Sequence, residues 1–429
     1  MTAAWLGLGR RISRAPGHQA PTLGALRLTG ALWCLPLLVA PALFSHDAYS
    51  YLAQGTILHL GLSPYDNAPT VLAHHGGTHV LDAVATFWRG TTAPYGPLFL
   101  GLVSLIVGVT GSNLIAGVLL LRLLELIGVV LLAICVPRLA KALKADPARA
   151  LWLGVLSPLV MLELLGAAHN DALMAGLMVA GVTLAVERRP LTGIALCVLA
   201  AAIKVPAGAA AVFIAAAWVR AQPDARARVR VLVQAMGTAA SILVLVSVIT
   251  GAGSSWLSTS LFSTPQRVRL AITPTTSLGW TVARLARAAD MPLNARHLEA
   301  VFGVIAFALV AAYGLVLLRR VRWSNLVHYL GLLLLAAALG GPAVWQWYFT
   351  WGLVLVAACP ETQYARAIPL VVAASAFIVK ATGTLALPLQ TAPALLALYV
   401  LAAGVLWYSR RRQTLARMTG FRTGALARQ

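Results

Sequence analysis

Apolar runs recur along this chain from about residue 26 to residue 409, with short basic clusters between them. Within lipid, every backbone N–H and C=O needs a partner inside the protein, so only helices and closed barrels can cross. Many of the runs approach the ~20 residues with which a helix spans a hydrocarbon core. A chain that is 60% hydrophobic and 10% charged is not a soluble multidomain protein. The expected fold class is an all-α polytopic membrane protein.

The balance of 33 Lys and Arg against 12 Asp and Glu gives a net charge of +21. No nucleic-acid partner is inferred, because the bases fall in short clusters between apolar runs, as in loops that face anionic lipid. The clusters therefore serve as a compass for topology. Arg10, Arg11 and Arg14 precede the first run, which is read as retained and leading outward.

Spans are expected at 26–44, 113–136, 150–168, 172–186, 230–250, 298–318, 325–341, 344–359, 367–383 and 391–408. The interval 190–219 is read as two half-helices broken at Lys204-Val205-Pro206, because proline interrupts helix hydrogen bonding. That makes about twelve spans of the length a bilayer requires, in one domain covering 1–429 with both termini cytoplasmic. Residues 45–112 form a first extracytoplasmic loop, in which the short apolar stretch 98–110 is interfacial or re-entrant. A second such loop covers 251–297, and 409–429 is a basic cytoplasmic tail.

Cys34, Cys135, Cys197 and Cys359 lie in or at the end of apolar runs without short spacing, so they read as buried small hydrophobes. His75 and His79 have i,i+4 spacing, but Gly76-Gly77 opposes a helix there, and no metal site is assigned. No cofactor is required, and a divalent cation is left open. Arg122 and Glu125, three apart on one helix, are expected to pair inside the bundle.

The unusual polar residues gather on the outer face of this topology. Asp47 follows the first span, His169-Asn170-Asp171 joins two spans, and Lys204 sits at the helix break. Arg267, Arg269, Arg284, Arg287 and Arg296 oppose the positive-inside trend, and guanidinium forks match phosphate oxygens. Anionic headgroups or an acidic polymer would also explain them. Trp345, Trp347, Tyr348 and Trp351 read first as an interfacial belt and second as a surface for sugar stacking. Lys204 is either a functional intramembrane cation or a snorkelling lysine, and Asn170 or Asp171 also suits a helix cap. A general base for an incoming hydroxyl must lie beside the bound electrophile. Asp47, Asp66 and Asp171 are the candidates, and the sequence does not rank them by geometry.

Several stretches carry a resemblance: His-Asp-Ala-Tyr-Ser-Tyr-Leu-Ala-Gln-Gly (46–55), Gly-Leu-Ser-Pro-Tyr (61–65), the 88–98 segment with Ala-Pro-Tyr-Gly-Pro-Leu, His-Asn-Asp-Ala-Leu-Met (169–174) and Ala-Ala-Ile-Lys-Val-Pro-Ala (201–207). With Thr-Thr-Ser-Leu-Gly (275–279) and Val-Trp-Gln-Trp-Tyr (344–348), the chain resembles the actinobacterial polyprenyl-phosphomannose-dependent α-1,6-mannosyltransferases. The resemblance implies a GT-C glycosyltransferase-like helix bundle in the plasma membrane. It also implies inverting transfer of mannose from a polyprenyl-phosphate donor to a mannan or lipoglycan acceptor. By position Asp47 matches the family's first-loop acid, and this reading makes it the catalytic base. Lys204, Arg267, Arg269 and Arg284 are assigned to the donor phosphate. His46, Tyr49, Asp66, Tyr95, His169, Asn170, Asp171, Trp347 and Tyr348 are assigned to substrate. The rival readings are a twelve-helix secondary transporter, for which no repeated halves are seen, and a GT-C enzyme that uses another polyprenyl-phosphate sugar.

Overall fold

A computed structural model describes residues 1–14, 20–251, 253, 255–258, 273–291, 293–341, 345–360, 367–375, 391, 393–401 and 404. Among these residues every regular element is helical. Helices α1 (Thr2–Arg14) and α2 (Leu23–Val39) lead into a run of short elements. These are α3 (Asp47–His59), a 3-10 helix (Pro69–His74), α4 (Thr78–Ala83), α5 (Thr86–Arg89) and α6 (Pro97–Thr110). The centre of the molecule is built from α7 (Leu114–Ala142), α8 (Pro147–Gly154), a π-helix (Leu159–Gly166), α9 (Asp171–Val186), α10 (Pro190–Ala201) and α11 (Gly208–Arg220). Then follow α12 (Ala225–Ile249), α13 (Ser255–Ser258), α14 (Pro274–Ala288), α15 (Ala295–Arg320), α16 (Leu326–Gly340), α17 (Thr350–Ala357) and α18 (Ala367–Ser375).

Three helices, α7, α12 and α15, are long and apolar enough to cross a membrane. The pair of α8 and the π-helix adds a fourth if its 49° bend is taken as one broken span. Val248 on α12 and Val304 and Phe307 on α15 stay exposed, as side chains facing lipid tails do. Helices α2, α6, α9, α10 and α16 are apolar but shorter. By length and composition, the described residues therefore carry fewer full spans than the sequence reading expects.

Two expected spans are broken or shortened, and the expected second loop holds a helix. The 150–168 stretch is broken because Pro158 has no N–H to give the carbonyl of Gly154, where α8 ends. The 344–359 stretch opens as a 3-10 helix, leaving α17 only Thr350–Ala357. The 251–297 stretch holds a regular helix, α14, started by Pro274 and a Thr273–Thr276 capping box. The basic tail and parts of the last two expected spans, including 376–383 and 405–408, lie outside the described residues.

The centre is held by a close crossing of α7 and α9. A Cβ on Gly128 would stand 2.2 Å from the Ala172 carbonyl oxygen, and one on Gly176 would stand 2.5 Å from that of Gly128. Only glycine admits that approach, the device by which membrane helices pack without a hydrophobic driving force. The crossing also sets the fate of the charges on α7. Arg122 and Glu125 do not pair with each other, contrary to the sequence expectation. Arg122 instead donates to the carbonyls of Leu38, Ala40 and Gly166, and Glu125 accepts the Leu173 N–H at 2.9 Å. Each serves a helix terminus whose backbone groups lack partners within the helix.

Candidate active site

Asp47 is the first residue of α3, where a carboxylate meets the positive end of the helix dipole. Its N–H donates to Ser45 Oγ at 3.1 Å. The indole of Trp88 donates to Asp47 Oδ1 at 2.9 Å. Burial pushes the Asp47 pKa up to about 6, while the Trp88 hydrogen bond and the Lys204 charge oppose the rise. Asp47 Oδ2 faces His169 Nε2 at 3.8 Å. Burial, reinforced by Lys204, holds His169 well below the ordinary histidine range, so this approach joins a neutral ring to the carboxylate and is not an ion pair.

His169 and Asn170 occupy the tight turn between the π-helix and α9, and Asp171 opens α9. All three are fully buried. Among the described residues neither amide atom of Asn170 has a hydrogen-bond partner, and the His169 ring has at most a backbone contact to Glu163. Both carboxylate-bearing turns pass through a left-handed non-glycine residue, Phe44 at φ 59 and Ala168 at φ 58. Backbone strain of that kind gathers at functional sites.

Lys204 reaches this place because α10 stops one turn early. Pro206 cannot donate to the carbonyl of Ala202, and Lys204 turns extended at φ −151 and ψ 123. The exposed carbonyls are taken up by the strand-like segment before α6: Gly96 N–H donates to Ile203 O at 2.9 Å and Leu98 N–H to Ala202 O at 3.0 Å. The ammonium of Lys204 then meets Asp171 Oδ1 at 2.9 Å and Oδ2 at 2.8 Å. It also lies 4.5 Å from the ring centre of Tyr348, close enough for a cation–π contact.

An aromatic wall closes the arrangement. Trp347 lies 3.9 Å from the His169 ring, and Trp345 stacks behind it at 4.9 Å. Tyr348 stacks on Trp351 at 4.4 Å, and the Trp351 indole donates to Asp171 Oδ1 at 2.5 Å. Tyr95 lies 6.0 Å from the Lys204 ammonium. The four aromatic residues singled out at 345–351 thus pack around buried polar groups, beyond the interfacial belt that their sequence first suggests.

The structure gathers Asp47, Tyr95, His169, Asn170, Asp171, Lys204, Trp347 and Tyr348 into one cluster. His46 and Tyr49 flank it, with His46 exposed and their rings 6.0 Å apart. Asp66 is exposed, away from these buried contacts. Arg284 is exposed on α14 and makes no hydrogen bond or ion pair with the cluster among the described residues. Arg267 and Arg269 lie outside the described residues. His74, His75 and His79 are exposed, and among the described residues no three His, Cys, Asp or Glu side chains are placed to hold a metal ion.

Two partners are missing from the sequence reading of the site, Trp88 and Glu163, and Trp351 is read there only as part of the aromatic belt or stacking surface. Trp88 and Trp351 each hold a carboxylate through an indole N–H. Their signal in the sequence is only a tryptophan near a motif. Glu163, a buried acid on the π-helix near Gln346, has an oxygen without a hydrogen-bond partner among the described residues. An acid in the middle of an apolar run is itself a signal, since such residues are functional candidates by default.

Known proteins place the chain. Residues 1–220 match the family model described as alpha-(1->6)-mannopyranosyltransferase, N-terminal domain. Alpha-(1->6)-mannopyranosyltransferase A of Mycobacterium tuberculosis is 35% identical over 386 residues, covering 88% of this chain and 72% of that protein. The protein of the same name from Corynebacterium glutamicum is 36% identical over 218 residues, 50% of this chain and 44% of its own length. No solved structure matches. With half the chain matched by the family model and most of it aligned to a curated member, this protein belongs to the alpha-(1->6)-mannopyranosyltransferase family.

Proposed function

We propose that the chain transfers mannose from a polyprenyl-phosphate donor to a hydroxyl of a mannan or lipoglycan acceptor, forming an α-1,6 linkage with inversion. The bundle is GT-C-like with about twelve spans of bilayer length, the termini lie in the cytoplasm, and the site opens on the outer face. The observation that carries this reading is Asp47. It is an oriented, largely buried carboxylate set among unpaired sugar-sized hydrogen-bonding groups and an aromatic wall, in a chain of this family.

In this mechanism Asp47 Oδ2 takes the proton of the acceptor hydroxyl as its oxygen attacks the anomeric carbon. The bond from that carbon to the phosphate oxygen breaks, and polyprenyl phosphate leaves with the electron pair. Lys204 carries three N–H donors. Two positions are taken by the carboxylate oxygens of Asp171, and the third is available to a phosphate oxygen. Arg267, Arg269 and Arg284 join it from the 251–297 segment. His169 and Asn170 hydrogen-bond the sugar hydroxyls, and Trp347 and Tyr348 stack on the apolar face of the ring.

The test is transfer of labelled mannose from polyprenyl-phosphomannose in membranes carrying wild type or Asp47→Asn. Transfer by wild type that is lost in the variant is the expected result. Equal transfer by both removes Asp47 as the base. No transfer by wild type, with solute uptake in liposomes, replaces the enzyme reading with a transporter.

A further inference from the structure

We infer that Trp88 is a positioning residue, and that the 61–95 segment folds a small core of its own in order to aim the Trp88 indole at Asp47 Oδ1 and leave Oδ2 to react. The inference rests on Asp47 being the base, as proposed above, and adds which oxygen acts and what holds it.

The segment is built as a closed unit. Its two ends meet where Ala93 N–H donates to Pro64 O at 2.9 Å and Tyr65 Oη donates to the Tyr95 carbonyl at 3.1 Å. Between those ends Leu72, Val80, Leu81, Val84 and Trp88 pack against Ala53 and Ile57 of α3, forming an apolar cluster separate from the main core. Helix α3 is therefore gripped on one face by this cluster and on the other by α6, where Gly55 lies under Val103. Trp88 is the member of the cluster with a polar atom, and that atom is spent on Asp47.

A carboxylate at a helix start can rotate about its last side-chain bond. A single strong donor on one oxygen removes that freedom, and hydrogen bonds to charged groups are the stronger kind. With Oδ1 held at 2.9 Å, Oδ2 is left on the side of His169. The other groups facing Asp47 are the Ser45 hydroxyl, Lys204 and Asp171, and the phenols of Tyr51, Tyr95 and Tyr348, which sense its charge. Trp88 is the stronger hydrogen-bonding influence on the carboxylate, and the Ser45 hydroxyl is the weaker one.

Removing the donor has a readout that a packing role lacks. The Trp88 bond favours the ionised carboxylate, so Trp88→Phe moves the acid limb of the pH–rate profile upward, by about one pH unit for a hydrogen bond to a charged group. Transfer at pH 6 then falls several-fold further than transfer at pH 8. Trp88→Leu, which also lacks the donor, must move the limb the same way. Leu81→Ala thins the same apolar cluster without touching Asp47, and it lowers thermal stability while leaving the limb in place. The inference fails if both Trp88 variants lose rate equally at every pH, or if neither folds while Leu81→Ala does. Retention of transfer by Asp47→Asn is a separate result, and it overturns the proposed base itself.

Discussion

Lys204 grips both carboxylate oxygens of Asp171, at 2.9 and 2.8 Å, and so ties the break between α10 and α11 to the first turn of α9. Asp171 is fully buried and the Lys204 side chain is 13% exposed. Removing one partner leaves the other charge uncompensated, at a cost of about 3–5 kcal/mol. Lys204→Met and Asp171→Leu are each expected to lower the unfolding temperature sharply in detergent. The double variant recovers much of that loss, because two apolar groups leave no stranded charge. All three abolish transfer. A double variant that loses the sum of the two single losses would show that the pair is not coupled.

The charge on Asp47 predicts opposite effects on rate and stability. Burial lifts its pKa to about 6, above its ordinary 3.8. As a base it must be ionised, so transfer is expected to fall about tenfold per pH unit below that value. For stability the sign reverses, because the folded protein binds this proton more tightly than the unfolded chain does. The ionised carboxylate burdens the fold above about pH 6, and the burden fades through the window down to 3.8. The full penalty is about 3 kcal/mol for a shift of that size. Asp47→Asn should therefore be inactive yet melt higher than wild type at pH 7.5, with the two curves converging near pH 4. Thermal unfolding across that range checks it.

These effects explain which parts of the site are legible in the sequence. Asp47, His169, Asn170, Asp171 and Lys204 stand out because polar residues are rare in a chain this apolar, and they do converge. The helix break at Lys204 is legible because Pro206 acts locally. The partners of these residues are not legible. Trp88 lies 41 residues from Asp47, and Trp351 lies 180 from Asp171. Nothing in local spacing connects residues so far apart. Arg122 and Glu125 mislead for the same reason: their i,i+3 spacing suggests a local pair, whereas helix ends contributed by distant segments claim both.

Gly96 offers a test of how Lys204 is placed. A Cβ there would stand 2.2 Å from the Ala202 carbonyl oxygen, backbone that cannot swing aside. Gly96→Ala is expected to push the 96–98 segment away and weaken the bonds from Gly96 and Leu98 to the end of α10. Overpacking of this kind costs about 1–3 kcal/mol. The larger effect falls on function, since Lys204 leaves its register with Asp171. Transfer lost with only a modest fall in unfolding temperature is the expected outcome. A fully active Gly96→Ala protein would mean that the break holds its shape without these bonds.

Glu125 and Arg122 can be shown to act separately. Glu125→Gln keeps an oxygen for the Leu173 N–H and should retain near-wild-type stability, whereas Glu125→Leu strands that N–H at a cost of about 1–3 kcal/mol. Arg122→Met removes the guanidinium from the carbonyls of Leu38, Ala40 and Gly166, of which Gly166 keeps the Leu43 N–H, and is more damaging. If the two side chains serve different helix ends, their effects add. A double-mutant cycle on Arg122→Met and Glu125→Leu should then give a coupling energy within about 0.5 kcal/mol of zero. Coupling well above that value, measured by denaturant unfolding, would restore the direct pairing that their spacing on α7 suggests.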